Sequence, residues 1–213
     1  MRKVAVVDYG MGNLRSVSQA VMHVAAVTGV EVIVTSDPVQ VMAAERVVLP
    51  GQGAMRDCMA EIRSRNLTEV LTQGVASKPF LGICMGLQAL MEWSEESPDT
   101  PGFGILSGPV RRLPDRDPQT GARLKIPHMG WNQVRTAQPH PLWEGIPSGE
   151  RFYFVHSYYV DPSEPSVVAG TTDYGVRFVC AIARANLFAV QFHPEKSQHA
   201  GLTLLANFLR WSP

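Results

Sequence analysis

The stretch Lys78-Pro79-Phe80-Leu81-Gly82-Ile83-Cys84-Met85-Gly86-Leu87-Gln88-Ala89-Leu90-Met91 decides how this chain folds. Lys78 to Leu81 reads as a buried strand and Leu87 to Met91 as a helix, and one thiol stands at the junction between two glycines. This is the cysteine counterpart of the Gly-x-Ser-x-Gly elbow, in which only hydrogen-sized neighbours let the chain bend sharply enough to present a nucleophile. A lone cysteine is more often a small core residue. The paired glycines and the helix behind them favour a nucleophile at Cys84.

Working outward, apolar runs at Val4–Val7, Val32–Val34, Arg46–Leu49 and Pro79–Ile83 alternate with helical stretches over Leu14–Val27, Met55–Ser64 and Leu67–Ala76. Continuous apolar strands separated by helices predict an open, mostly parallel α/β sheet covered on both faces. The second half changes style. Short strands at Gly104–Leu113, Lys125–Val134, Phe152–Val160, Val167–Thr171, Val176–Ala183 and Leu187–Phe192 predict an antiparallel extension of that sheet. Leu202, Leu205, Phe208 and Leu209 fall at helical spacing within Ala200–Trp211 and should pack back onto it. Asp115 to Gly121, rich in Pro, Asp and Gly, reads as a surface loop.

The 213 residues carry 19 basic and 19 acidic side chains with no long run of either sign, which argues against nucleic acid as a ligand. Three cysteines, Cys58, Cys84 and Cys180, form neither an even set nor a CxxC pair, so no disulfide framework or metal site is expected. Met1-Arg2-Lys3 leads straight into Val4–Val7, too short an apolar run for a signal peptide or a membrane span. A cytoplasmic protein without cofactor or metal is the expectation.

A thiol with an ordinary pKa of about 8.5 needs a base, and the base needs an orienting group. Of six histidines, His193 stands in Gln191-Phe192-His193-Pro194-Glu195 at the end of a strand, where two-residue alternation would put His193 and Glu195 on one side. Glu195 would accept the imidazole N–H and stabilise the imidazolium. An oxyanion also needs preorganised donors. Gly51, Gln52 and Gly53 in Pro50-Gly51-Gln52-Gly53 follow a strand end, and with the Met85 N–H they are the candidate oxyanion hole. Cys58 and Cys180 lack a glycine elbow and read as core.

Together these residues resemble the class I glutamine amidotransferases. The resemblance implies a Cys84, His193, Glu195 triad. It also implies that Gln88 holds a substrate glutamine, that Glu96 receives its α-amino group, and that His156, Ser157 and Tyr158 lie along its α-carboxylate.

Three further runs narrow the match over nearly the whole chain: Asp8-Tyr9-Gly10-Met11-Gly12-Asn13-Leu14, Pro127-His128-Met129-Gly130-Trp131-Asn132 and His193-Pro194-Glu195-Lys196-Ser197. They resemble the branch serving as the glutaminase subunit of imidazole glycerol phosphate synthase. That branch implies one glutaminase domain over residues 1–213, paired as a heterodimer with a (β/α)8 cyclase subunit, HisF, that uses the ammonia in histidine biosynthesis. Asn13, Trp131 and Lys196 are the candidates for the partner-facing surface. Gln52 and Met11 depart from the branch, which often has a small aliphatic residue and a proline there. Another amidotransferase, or a stand-alone γ-glutamyl hydrolase, would keep the same triad and stays open as an alternative.

Overall fold

The computed structural model describes residues 2–213. In chain order the elements are β1 (Lys3–Val7), α1 (Leu14–Ala25), β2 (Glu31–Thr35), α2 (Pro38–Ala43), β3 (Arg46–Leu49), α3 (Met55–Ser64), α4 (Thr68–Ser77), β4 (Phe80–Ile83), α5 (Met85–Gln88) and β5 (Met91–Ser94). There follow β6 (Leu106–Arg112), β7 (His128–Thr136), β8 (Glu150–His156), β9 (Tyr158–Val160), β10 (Val168–Tyr174), β11 (Val176–Arg184), β12 (Leu187–Val190) and α6 (Gln198–Arg210).

The sheet runs β2-β1-β3-β4-β12-β11-β10-β7-β8. The first five strands are parallel, and from β11 onward neighbours are antiparallel. Side chains alternate across it, as a period of two requires. Val4, Val6, Val48, Leu81 and Ile83 face one core with Val17, Val21 and Val24 of α1 and Leu204, Leu205, Phe208 and Leu209 of α6. Ala5, Val7, Val47, Leu49 and Phe80 face the other, with Met55, Met59 and Ile62 of α3 and Val70, Leu71 and Val75 of α4. Each such large side chain contributes roughly 1.5–3 kcal/mol on burial. Truncating Phe80, fully buried at the start of β4, to alanine should cost about 3–5 kcal/mol.

Three elements differ from the sequence expectation. The helix after Cys84 is a single turn, because the Ala89, Leu90 and Met91 carbonyls accept N–H groups of Phe103, Ile105 and Gly104 at 2.7, 3.0 and 3.1 Å. The chain is thereby drawn into β5, parallel to β6. The run Phe152–Val160 breaks at Ser157 because β8 pairs with β7 while β9 pairs with β6 and β11. Helix α2 was not expected, although its start is locally encoded: Asp37 accepts the Val39 N–H at 2.9 Å, with Pro38 opening the helix. The loop from Asp115 to Gly121 is largely exposed. Among the described residues no helix is long and apolar enough to cross a membrane.

This topology puts the carboxyl ends of β1, β3, β4 and β12 along one edge, where open α/β sheets bind ligands. The segments leaving those ends carry Asn13, Gly51, Cys84 and His193.

Candidate active site

Cys84 sits at φ +56°, ψ −106°, a conformation that costs a non-glycine residue about 1–3 kcal/mol. Hydrogen bonds hold it there. Its N–H donates to the Val190 carbonyl at 2.7 Å, and its own carbonyl accepts from Leu87 and Gln88 N–H at 3.0 and 3.2 Å. The flanking glycines are steric necessities: a Cβ on Gly86 would lie 2.0 Å from the Leu49 oxygen, and one on Gly82 2.8 Å from the Gly86 oxygen.

Because β12 pairs with β4 and sets Val190 opposite Ile83, the residues following Val190 run beside the elbow. His193 and Glu195 do meet, with Nδ1 and Oε1 2.8 Å apart and side chains 2% and 0% exposed. The cause differs from the expected strand alternation. The strand ends at Val190, and Pro194, which has no N–H for a ladder, opens a 3-10 turn over Pro194–Lys196 that folds the carboxylate back onto the ring. Ser197 clamps this turn, donating from Oγ to the His193 carbonyl at 2.6 Å and accepting the Tyr153 N–H at 3.0 Å.

Burial alone would depress the His193 imidazole, but the Cys84 sulfur and the Glu195 carboxylate outweigh it and push the ring up to about 9. His193 Nε2 is buried and makes no hydrogen bond. The two other thiols are held protonated: burial raises Cys58 to about 11 and lifts Cys180 further.

Gln88, Glu96, His156, Ser157 and Tyr158 line one pocket of about 370 Å³ with Cys84, Met85, Gln52 and Gly53. Gln88 Oε1 is buried without a partner, and Glu96 Oε2 accepts the Met55 N–H at 2.9 Å at the start of α3. The Met85 N–H is occupied, donating to the Gly51 carbonyl at 3.3 Å, so the donor is capped rather than open. Gly51 has no room for a side chain, since a Cβ would lie 2.3 Å from Tyr9 Oη.

Of the partner-facing candidates, Asn13 borders a crevice with Gly51, Gln52, His193 and Glu195. Trp131 is 43% exposed on β7 and meets Tyr153 edge-on at 6.0 Å. The Lys196 Nζ lies 5.8 Å from the centre of the same Tyr153 ring. Tyr153 escaped sequence reasoning, as did Gln191 and the pairing of His128 with His156; strand register brings these together, and no local motif marks them.

Residues 5–211 match the family described as glutamine amidotransferase class-I. Two solved structures share the fold: a glutamine amidotransferase (TM-score 0.71, 17% identity, 97% of each chain) and a glutamine amidotransferase of Thermotoga maritima (TM-score 0.64, 15% identity, 91% of this chain and 76% of that one). Imidazole glycerol phosphate synthase subunit HisH of Aromatoleum aromaticum is 61% identical over 100% of both chains. The subunits of that name from Thiobacillus denitrificans and Dechloromonas aromatica are 59% and 57% identical, each over 99% of this chain and over 92% and 97% of their own lengths. This chain belongs to the class I glutamine amidotransferases and, within them, to the family of imidazole glycerol phosphate synthase subunit HisH.

Proposed function

We propose that this chain, as one cytoplasmic glutaminase domain, hydrolyses L-glutamine to glutamate and ammonia and delivers the ammonia to a (β/α)8 cyclase subunit, HisF, for histidine biosynthesis. The observation that carries the reading is the buried His193–Glu195 pair set beside a thiol on a strained elbow. His193 takes the Cys84 proton, and the thiolate attacks the side-chain amide carbon. A C–S bond forms and the carbonyl π pair moves to oxygen. His193 then protonates the nitrogen as the C–N bond breaks and ammonia leaves. Water attacks the thioester, giving a proton to His193, and the C–S pair returns to sulfur. Glu195 keeps the imidazole oriented and offsets its charge.

Gln88 Oε1, Glu96 and the His156–Tyr158 segment surround the substrate's amino-acid end. Attack leaves negative charge on oxygen, and an oxyanion donor is worth about 2.7–4 kcal/mol of barrier. In the resting state the Gly51 carbonyl caps Met85. Rotating the Gly51–Gln52 peptide would withdraw that oxygen and bring the Gln52 N–H inward, a motion eased by Gly53 at φ +99°. Nucleotide binding on the cyclase drives this rotation through the surface carrying Asn13, Trp131 and Lys196. Free ammonia is protonated in neutral water, so sealed docking near the thiol is needed for efficient transfer.

The test is the glutaminase rate of the chain alone, with the cyclase, and with cyclase plus its nucleotide substrate. Low basal turnover that rises stepwise, and is abolished in Cys84→Ala, supports the reading. Equal turnover in all three states would leave a stand-alone hydrolase instead.

A further inference from the structure

We propose that Gln191 is a fourth catalytic residue, an amide donor that holds the Cys84 sulfur and stabilises its thiolate. This rests on the glutaminase reading above. Gln191 follows the wholly apolar strand β12 and is itself fully buried. A buried amide is costly unless both its ends are bonded. Here both are. Oε1 accepts from Gln88 Nε2 at 3.0 Å, and Nε2 donates to Cys84 Sγ at 3.6 Å.

The direction of that amide is dictated by its neighbours. The Tyr158 carbonyl only accepts, so Gln88 must turn its NH2 toward it, at 3.1 Å. The second Gln88 hydrogen then points at Gln191, which must answer with its oxygen and leave its own NH2 facing the sulfur. The same carbonyl is anchored from the far side by His156 Nδ1 at 2.8 Å. His156 Nε2 is therefore an acceptor for His128 Nδ1 at 3.0 Å, and His128 Nε2 accepts from Asn132 Nδ2 at 3.3 Å. Every donor and acceptor from β7 to the nucleophile has one permitted orientation.

A thiol accepts hydrogen bonds weakly, whereas a thiolate accepts them strongly, so a fixed N–H on sulfur favours the ionised form. The same N–H receives the sulfur again when the thioester is hydrolysed and the C–S electron pair returns to it. The titratable groups around Cys84 are His193 with Glu195 behind it, His156 of β8, Tyr9 after β1, Cys58 of α3, and Glu96 and Tyr158 across the pocket. Apart from Cys84 itself, none is a hydrogen-bond partner of the Gln191 side chain.

The experiment compares Gln191→Met, which keeps the volume without a donor, and Gln191→Glu, which keeps the oxygen facing Gln88 and turns a second oxygen toward sulfur. Alkylation of Cys84 by iodoacetamide is followed against pH, with near-UV circular dichroism reporting the fold. Glutaminase kcat and KM are measured in the complex with the cyclase. Gln191→Met should raise the half-maximal pH of alkylation by about one unit, a tenfold loss of thiolate at fixed pH, and lower kcat about tenfold with little change in KM. Gln191→Glu should shift both further. Folded variants with unmoved alkylation and kcat would overturn the proposal, as would a loss confined to KM. Should one variant fail to fold, the other decides. Alkylation needs no glutamine, so an upward shift in a chain without glutaminase activity would sink the functional reading and with it the catalytic role, while the amide's hold on the sulfur would stand.

Discussion

Two buried pairs contain histidine, one in the turn after β12 and one across β7 and β8, and their imidazoles are shifted in opposite directions. His193 faces Glu195 at 2.8 Å and the sulfur of Cys84, and is pushed up to about 9. His156 faces His128 at 3.0 Å and is pushed down to about 3, first by burial and then, after the Tyr158 carbonyl partly opposes it, by the neighbouring imidazoles. His128, stacked between Phe154 and Tyr174, is depressed by burial to about 4. Removal from water disfavours charge in both places, and at His193 the Cys84 sulfur together with the Glu195 carboxylate reverses the sign. One pair is built to carry a proton, and the other to stay neutral and keep its hydrogen bonds in one direction.

The largest break in this contrast is Glu195→Gln, which gives His193 an uncharged neighbour. We expect kcat of the cyclase-bound, nucleotide-activated chain to fall about 1,000- to 10,000-fold while the circular dichroism spectrum is unchanged; an unaltered rate would mean the imidazole is oriented by another group. Next in size is His128→Phe, which preserves the aromatic stack but leaves the His156 Nε2 acceptor unbonded. Urea unfolding should register a loss of about 1–3 kcal/mol, and stability equal to the native chain would show that the pair contributes nothing.

The pH dependence of stability should separate the pairs by sign. A raised His193 contributes stability that is complete below about 6.5 and lost as pH climbs through about 9. For His156 and His128 the unfolded chain takes up protons first, so stability falls as pH drops from about 6.5 toward 4 and 3. Unfolding curves should flatten on the alkaline side in His193→Asn and on the acid side in His128→Phe. The smallest effect is expected from Asn132→Asp. A carboxylate in place of the amide 3.3 Å from His128 Nε2 should raise that imidazole by about 1–3 units, read from its proton resonances in an NMR titration. An unshifted resonance would show that burial, not the partner, sets the charge.

The two pairs were unequally legible in the sequence. His193 and Glu195 lie two residues apart, so their meeting was readable even though a proline-led turn, and not a strand, accomplishes it. His128 and His156 are 28 residues apart and become neighbours because β7 and β8 pair in a register that sets them opposite one another. Nothing local encodes that register. The candidate substrate residues Gln88, Glu96 and His156–Tyr158 are reached through family resemblance, and the structure gathers them in one pocket. The capped Met85 donor was out of reach, since one peptide orientation in Pro50–Gly53 decides it.

The sequence by itself determined what depends on backbone sterics and short spacing: the glycine-flanked thiol, the parallel strands with their continuous apolar runs, and an imidazole beside a carboxylate. The tertiary structure alone decided the direction in which each imidazole is shifted, which amide faces the sulfur and which carbonyl the Met85 N–H meets. Those properties arise from desolvation and hydrogen-bond direction among groups distant in the chain, and no local pattern specifies them until the sheet is assembled.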